Sequence, residues 1–162
     1  MPAAAAPRIP GPVEIVNVGG LVPGADPARA RELIVVTGHY DSRAGDVMDA
    51  ASDAPGAVDD GSGVALVLEL GRVLCRERPA VSVLLVAVAG EEQGLTGSAH
   101  LARRLRDEGK QVLAMVSVDI AGNIAGQDGV RDDVTARLFS EGVSGLETEA
   151  QRRLREALGA EN

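Results

Sequence analysis

Residues 81–92, VSVLLVAVAGEE, join the most strand-like segment of the chain to two adjacent glutamates. Val81 to Ala89 is apolar at every position except Ser82, so it lacks the alternation of a half-exposed strand. Continuous apolar runs of this length are typical of strands covered on both faces, as in parallel sheets. Two similar runs, Leu33 to Thr37 and Val112 to Val118, lie before and after it. We predict that all three are buried strands of one sheet.

Helices are predicted between these strands. Gly61 to Arg76 is nearly all apolar, so we expect this helix to be well buried and assign Cys75 to the core. Ser98 to Glu108 is amphipathic, with Ser98 as its candidate N-cap. The alternation of apolar strands and helices predicts an α/β fold, a three-layer sandwich with a mixed, largely parallel central sheet flanked by helices.

The remaining segments are assigned from composition and apolar pattern. Val13 to Val22 is predicted to be a strand, Thr135 to Phe139 a further strand, and Glu147 to Leu158 a final helix. Residues 1–12 are rich in alanine and proline, so we expect a flexible lead-in. Residues 13–162 are then predicted to form a single partial domain.

The chain is acidic, with 24 acidic and 16 basic residues and a formal net charge of −8. Phosphate backbones are bound by basic surfaces, so a nucleic acid is not expected as a partner. The sequence contains no stretch approaching the roughly 18 apolar residues of a transmembrane segment. It also lacks a signal-type hydrophobic segment, so it predicts no compartment. The single cysteine excludes an internal disulfide and a cysteine-based metal cluster.

Acidic and histidine side chains follow the predicted strands directly. His39 follows the first buried run, Glu91 and Glu92 follow the second, and Asp119 follows the third. Functional sites of open α/β sheets lie at the carboxyl ends of the strands. Two adjacent glutamates at such a position repel each other unless a cation is near. One of them could bind a metal while the other accepts a proton from water.

Two pairs of neighbouring residues, His39 with Asp41 and Asp59 with Asp60, allow both a structural and a metal-binding interpretation. His39 and Asp41 form a structural pair or, alternatively, a metal-bound imidazole whose other N–H is held by a carboxylate. Asp59 and Asp60 precede a predicted helix, where aspartates commonly act as caps. Both interpretations hold together if Asp59 binds a metal while Asp60 stabilises the turn.

Four segments resemble the motifs of the co-catalytic zinc aminopeptidases of peptidase family 28, in the same order and across roughly residues 13–125. The segments are Gly38 to Ser42, Pro55 to Gly63, Gly90 to Ser98 and Val118 to Gly122. The resemblance implies a zinc-dependent metallopeptidase that removes N-terminal residues from peptide substrates by means of a metal-bound water.

The resemblance also implies a role for each of six side chains. His39, Asp59 and Asp119 would hold one zinc ion, and Asp59 and Glu92 would hold a second. Glu91 would be the general base, and Asp41 would orient His39.

The chain departs from the family pattern at one metal ligand. The family supplies a further histidine to the second zinc from its C-terminal part, whereas this chain has only His39 and His100. His100 is predicted to face solvent. We therefore expect a complete first zinc site, a weak or vacant second one, and a chain that is weakly active or inactive.

The same departure predicts a fold that is incomplete at its C-terminus, with an uncovered sheet edge through which chains could self-associate. Two alternative functions stay open. One is a single-zinc acyltransferase similar to the glutaminyl cyclases, and the other is a non-catalytic relative that serves as a binding module.

Overall fold

The computed structural model describes residues 8–9, 11–126 and 129–136. The chain divides into two units, Met1–Gly122 and Asn123–Asn162. In the described part of the second unit, Ala125 and Arg131 form an isolated antiparallel bridge. Most of the strand predicted at residues 135–139 and the whole of the helix predicted at residues 147–158 lie outside the described residues.

A four-stranded sheet forms the centre of the first unit. Its strands are β1 (Val18–Val22), β2 (Glu32–His39), β3 (Ser82–Val88) and β4 (Gln111–Ser117). The order across the sheet is β1-β3-β2-β4. β2 is parallel to both β3 and β4, whereas β1 is antiparallel to β3. The predicted mixed, largely parallel sheet is confirmed.

Helices cover both faces of the sheet. Helix α1 (Ser62–Glu77) connects β2 to β3, and helix α2 (Thr96–Asp107) connects β3 to β4. Gly109, with a φ of 65°, lies just beyond the end of α2, where its positive φ suits glycine. No helix in the described part of the chain is long and apolar enough to cross a bilayer.

The core consists of two apolar clusters, one on each face of the sheet. The cluster that includes α2 contains Leu33, Val35, Val86, Val88, Leu101 and Leu105. The cluster that includes α1 contains Val22, Val36, Val67, Val83 and Leu85. Burying a valine or leucine side chain contributes about 1.5–3 kcal/mol, so these clusters hold the three layers together. The predicted three-layer α/β sandwich is confirmed.

Helix α1 is less buried than its composition predicts. Only Gly63 and Val67 are buried, whereas the side chain of Leu68 is 71% exposed. Cys75 is also exposed, so its assignment to the core was wrong. A helix lying on a sheet buries one face only, and apolar composition does not prevent the other face from meeting solvent.

Strand β4 is exposed rather than buried, which contradicts the sequence prediction. Val112, Leu113, Met115 and Val116 are all exposed. Within the described residues β4 pairs with β2 alone, so it forms an edge of the sheet. An apolar run is therefore buried on both faces only where helices cover it.

Two boundaries also differ from prediction. The first strand begins at Val18, so residues 13–17 lie before it without regular structure. Helix α2 begins at Thr96, with Leu95 in the capping position, so Ser98 is not the N-cap. Ser98 is the third residue of the helix, and its hydroxyl donates to the carbonyl of Leu95 at 3.1 Å.

Candidate metal centre

The carboxyl ends of three parallel strands meet at one edge of the sheet. His39 is the last residue of β2, Glu91 and Glu92 follow β3, and Asp119 follows β4. Asp59 lies in the wide turn Ala57–Gly61 that leads into α1. Because β3 and β4 both run parallel to β2, their ends present these side chains on the same side of the sheet.

The imidazole of His39 is buried and has one ring nitrogen without a hydrogen bond. Nδ1 lies 2.9 Å from the main-chain carbonyl oxygen of Asp41. We assign the ring proton to Nδ1, because only a donor satisfies that carbonyl. Nε2 then directs a lone pair towards two carboxylates, at 3.0 Å from Asp59 Oδ1 and 3.9 Å from Asp119 Oδ1. It is a buried nitrogen that forms no hydrogen bond.

The two distances around His39 Nε2 suit a metal ion. Tetrahedral coordination with bonds of 2.0–2.1 Å places neighbouring ligand atoms about 3.3 Å apart. The separations from His39 Nε2 to the Asp59 and Asp119 oxygens, 3.0 and 3.9 Å, bracket that value. Both carboxyl groups are half exposed, so an ion and a water molecule could reach them. A lone pair facing two carboxylates is electrostatically unfavourable, and a cation between them removes the repulsion.

Asp60 holds the site together through the main chain. Its fully buried carboxylate accepts hydrogen bonds from the N–H groups of His39 (3.0 Å), Gly63 (2.9 Å) and Ile120 (3.2 Å). One of its oxygens also lies within 4.8 Å of ligand atoms of His39 and Asp119, in a group of three that contains Asp60 and not Asp59. Both oxygens, however, already accept hydrogen bonds, whereas the Asp59 carboxylate faces the free ring nitrogen. Of the two neighbours, Asp59 therefore has the better geometry for a metal ligand.

Asp41 contacts His39 through its main chain. Its carboxylate Oδ1 lies 3.7 Å from Nδ1, farther than its own carbonyl oxygen at 2.9 Å. The carboxylate instead accepts the N–H groups of Glu91 and Glu92, each at 3.2 Å. Asp41 thus orients the imidazole with one group and holds the glutamate turn with another.

Glu91 lies in the electrostatic field of the cluster. Burial raises the pKa of its carboxyl group, and the nearby charges of Glu92, Asp119 and Asp41 raise it further, although His39 opposes them. A carboxyl with a raised pKa accepts and returns protons more readily near neutral pH. The position and electrostatics of Glu91 therefore suit proton transfer.

The pKa values of two candidate ligands, His39 and Asp119, are also raised. Burial raises the pKa of Asp119, and the charges of Asp59 and Asp60 add to the effect. Burial alone would lower the pKa of His39, but its hydrogen bond to Asp41 and the surrounding carboxylates outweigh it, so the pKa is raised. Protons and a metal ion therefore compete for the same groups.

Glu92 is paired with an arginine that sequence reasoning missed. Arg43 Nε lies 2.8 Å from Glu92 Oε2, and Arg8 Nη1 donates to the Glu92 main-chain carbonyl at 3.0 Å. A cleft of about 250 Å³ at this point is lined by Arg8, Arg43, Val47, Glu91 and Glu92. The position of Arg43 in the sequence, two residues after Asp41, was the signal that could have predicted this ion pair. His100, as predicted, is exposed.

The chain belongs to peptidase family M28, whose family model matches residues 17–156. The resemblance to this family is thereby confirmed. A probable zinc metalloprotease of Leptosphaeria maculans is 48% identical over 159 residues, which are 97% of this chain and 36% of that protein. The chain thus spans about a third of the length of such relatives.

Two solved structures have a fold similar to that of this chain. The aminopeptidase from Aneurinibacillus sp. strain AM-1 is 32% identical with a TM-score of 0.55, over 69% of this chain and 25% of that one. A glutaminyl cyclase from an Acidobacteriales bacterium is 28% identical with a TM-score of 0.57, over 68% of this chain and 41% of that one.

Proposed function

We propose that this chain carries the metal-binding part of a zinc-dependent metallopeptidase of the aminopeptidase type. The observation that supports it best is the buried Nε2 of His39, which forms no hydrogen bond and faces the carboxylates of Asp59 and Asp119. Family membership and the names of the relatives support zinc as the metal.

His39, Asp59 and Asp119 would hold the zinc ion. Three protein ligands that leave a fourth position open are the usual arrangement of catalytic zinc, as opposed to closed structural sites. When bound, zinc supplies a Lewis acid for a peptide carbonyl and lowers the pKa of water. The half-exposed carboxyl groups leave one side of the centre accessible to a substrate.

Glu91 would act as the general base. Its raised pKa places proton uptake closer to neutral pH, and the Asp41 carboxylate holds its main-chain N–H. The carboxylate of Glu91 would take the proton of the attacking water and later pass it to the leaving amine. Hydrolysis of an N-terminal residue from a peptide is the reaction that these groups would serve.

A glutaminyl-cyclase-like acyl transfer is the second candidate. It is favoured by the structural similarity to the bacterial glutaminyl cyclase, and the His39 group could supply the single metal that such a reaction needs. The two reactions differ in their products, because hydrolysis releases a free amino acid whereas cyclisation releases ammonia and leaves the peptide intact.

Hydrolysis of aminoacyl chromogenic substrates, measured together with zinc binding, tests the proposal. We expect weak, zinc-dependent release of the chromophore by the wild-type chain. Glu91→Gln should reduce the rate by about 10²–10⁴-fold with zinc binding retained, whereas Asp119→Asn should weaken zinc binding itself. Glu69→Gln, on the exposed face of α1, is the control and should change neither.

Each outcome separates the alternatives. Full activity in the Glu91→Gln variant, or activity that survives complete zinc removal, contradicts the proposed mechanism. Failure of the wild-type chain to bind zinc contradicts the metal site. Cyclisation of N-terminal glutamine without release of amino acids favours acyl transfer.

A further inference from the structure

The guanidinium of Arg43 forms an ion pair with Glu92 at the rim of the metal centre. Arg43 Nε lies 2.8 Å from Glu92 Oε2, and the Glu92 side chain is largely buried. The resemblance implies four zinc ligands. Asp59 and Asp119 lie near Nε2 of His39, whereas the carboxylate of Glu92 pairs with Arg43. The Glu92 carboxylate already has a positive partner, and that partner belongs to the protein.

The fold brings the segment that carries Arg43, whose side chain is 45% exposed, next to Glu92. The Asp41 carboxylate accepts the main-chain N–H groups of Glu91 and Glu92, which ties the two chain segments together. Arg43 follows two residues later, and its Nη1 also donates to the carbonyl of Gly45 at 3.3 Å. The two segments are therefore joined through the Asp41 carboxylate and through the Arg43–Glu92 pair.

A guanidinium is permanently charged and cannot release its proton near neutral pH. It neutralises Glu92 and repels any second cation that approaches the same carboxylate. The cleft lined by Arg43 and Glu92 also contains Glu91, so the charge of the guanidinium acts next to the carboxylate that a second metal ion would need.

We propose that Arg43 is a positioning residue that serves as the resident cation at Glu92 and limits this chain to one tightly bound zinc ion. The inference rests on the proposed function, because it takes the His39, Asp59 and Asp119 group as the first zinc site. A second zinc ion at Glu92 must displace the guanidinium. Removal of the Arg43 charge is therefore expected to strengthen a second binding event.

Zinc stoichiometry of the full 162-residue chain tests this inference. Titration calorimetry and metal analysis after dialysis are carried out on the wild type, Arg43→Gln and Arg43→Lys. The matched control is Arg29→Gln, because Arg29 is 41% exposed compared with 45% for Arg43. Arg29 pairs with Glu32 at 2.6 Å, at the opposite end of β2 from His39.

We expect one tight zinc ion in the wild type, in Arg43→Lys and in Arg29→Gln. Arg43→Gln should show a second event at least about tenfold tighter than any second event in the wild type. The double variant Arg43→Gln/Glu92→Gln should lose that second event. Cobalt provides an independent readout, since its visible absorption should saturate at one equivalent in the wild type and at two in Arg43→Gln.

Circular dichroism checks that the variants fold, and Arg43→Met removes the same charge if the glutamine variant does not. Two equally tight zinc ions in the wild type overturn the inference. So does an Arg43→Gln or Arg43→Met variant that binds zinc as Arg29→Gln does. Both results leave the first site and the proposed function intact, whereas a wild type that binds no zinc overturns the proposed function itself.

Discussion

Replacing Asp60 with asparagine is expected to destabilise the protein even when no metal is bound. The fully buried Asp60 carboxylate accepts three main-chain N–H groups, from the end of β2, the start of α1 and the segment after β4. Oδ1 accepts two of these hydrogen bonds and Oδ2 accepts one. An asparagine keeps a single acceptor oxygen, so at least one of the three bonds is lost.

The magnitude follows from that loss. A hydrogen bond to a charged group contributes about 1.5–3 kcal/mol, and a buried N–H left without a partner costs about 1–3 kcal/mol more. The best asparagine rotamer keeps the two bonds of Oδ1 and turns its NH₂ group towards the N–H of His39. The free energy of unfolding should then fall by roughly 2.5–6 kcal/mol, a large part of the about 5–15 kcal/mol of a typical domain.

Urea unfolding in the presence of a chelator measures this loss without any contribution from zinc. Asp59→Asn is the matched control, because it makes the same substitution one residue earlier at a half-exposed carboxylate that faces His39. The control should stay within about 0.5 kcal/mol of the wild type without metal, but it should bind zinc more weakly. An Asp60→Asn variant as stable as the wild type, or a larger metal-free loss in Asp59→Asn, would refute the division of roles between these neighbours.

Two further predictions concern pH and packing. The raised pKa of His39 and Asp119 means that they stabilise the metal-free fold at low pH, with the His39 contribution fully present below 6.5 and lost as pH rises through its folded pKa. Zinc must displace the same protons, so calorimetry should show weaker zinc binding at pH 6 than at pH 8. Over the same rise in pH, chelator-treated protein should lose the stability that His39 contributes. A zinc affinity that does not depend on pH would contradict this prediction. Val67→Ala should lower the free energy of unfolding by about 1–3 kcal/mol, because Val67 is buried. Leu68→Ala, on the exposed side of α1, should change it by less than about 0.5 kcal/mol. Equal losses of the two variants in urea unfolding would contradict the assigned helix face.

Much of the fold could be predicted because its signals are local. The apolar runs that became β2 and β3 are rich in valine and followed directly by glycine, so their unbroken apolar character and their length identify strands. The alternation with helices then leaves few arrangements other than a covered, mostly parallel sheet. The inner residues of α2, Leu101 and Leu105, follow from helical spacing in the same way.

Exposure could not be predicted with the same success. Strand β4 and helix α1 have the apolar composition of buried elements, yet much of β4 and one face of α1 meet solvent in the described structure. Cys75 was misplaced for this reason. Burial depends on which neighbours cover an element, and those neighbours come from distant parts of the chain.

The sequence by itself determined the strand ends at which the site lies and the residue types that gather there, because short motifs directly after apolar runs encode both. Tertiary structure alone decided how those residues divide their work. It turned Asp59 towards His39 and buried Asp60 among three main-chain N–H groups. It also paired Glu92 with Arg43, from a segment about fifty residues earlier in the sequence. The reason is physical: a side chain's charge is known from its identity, but its partners are set by distances of a few ångströms between segments that only folding brings together.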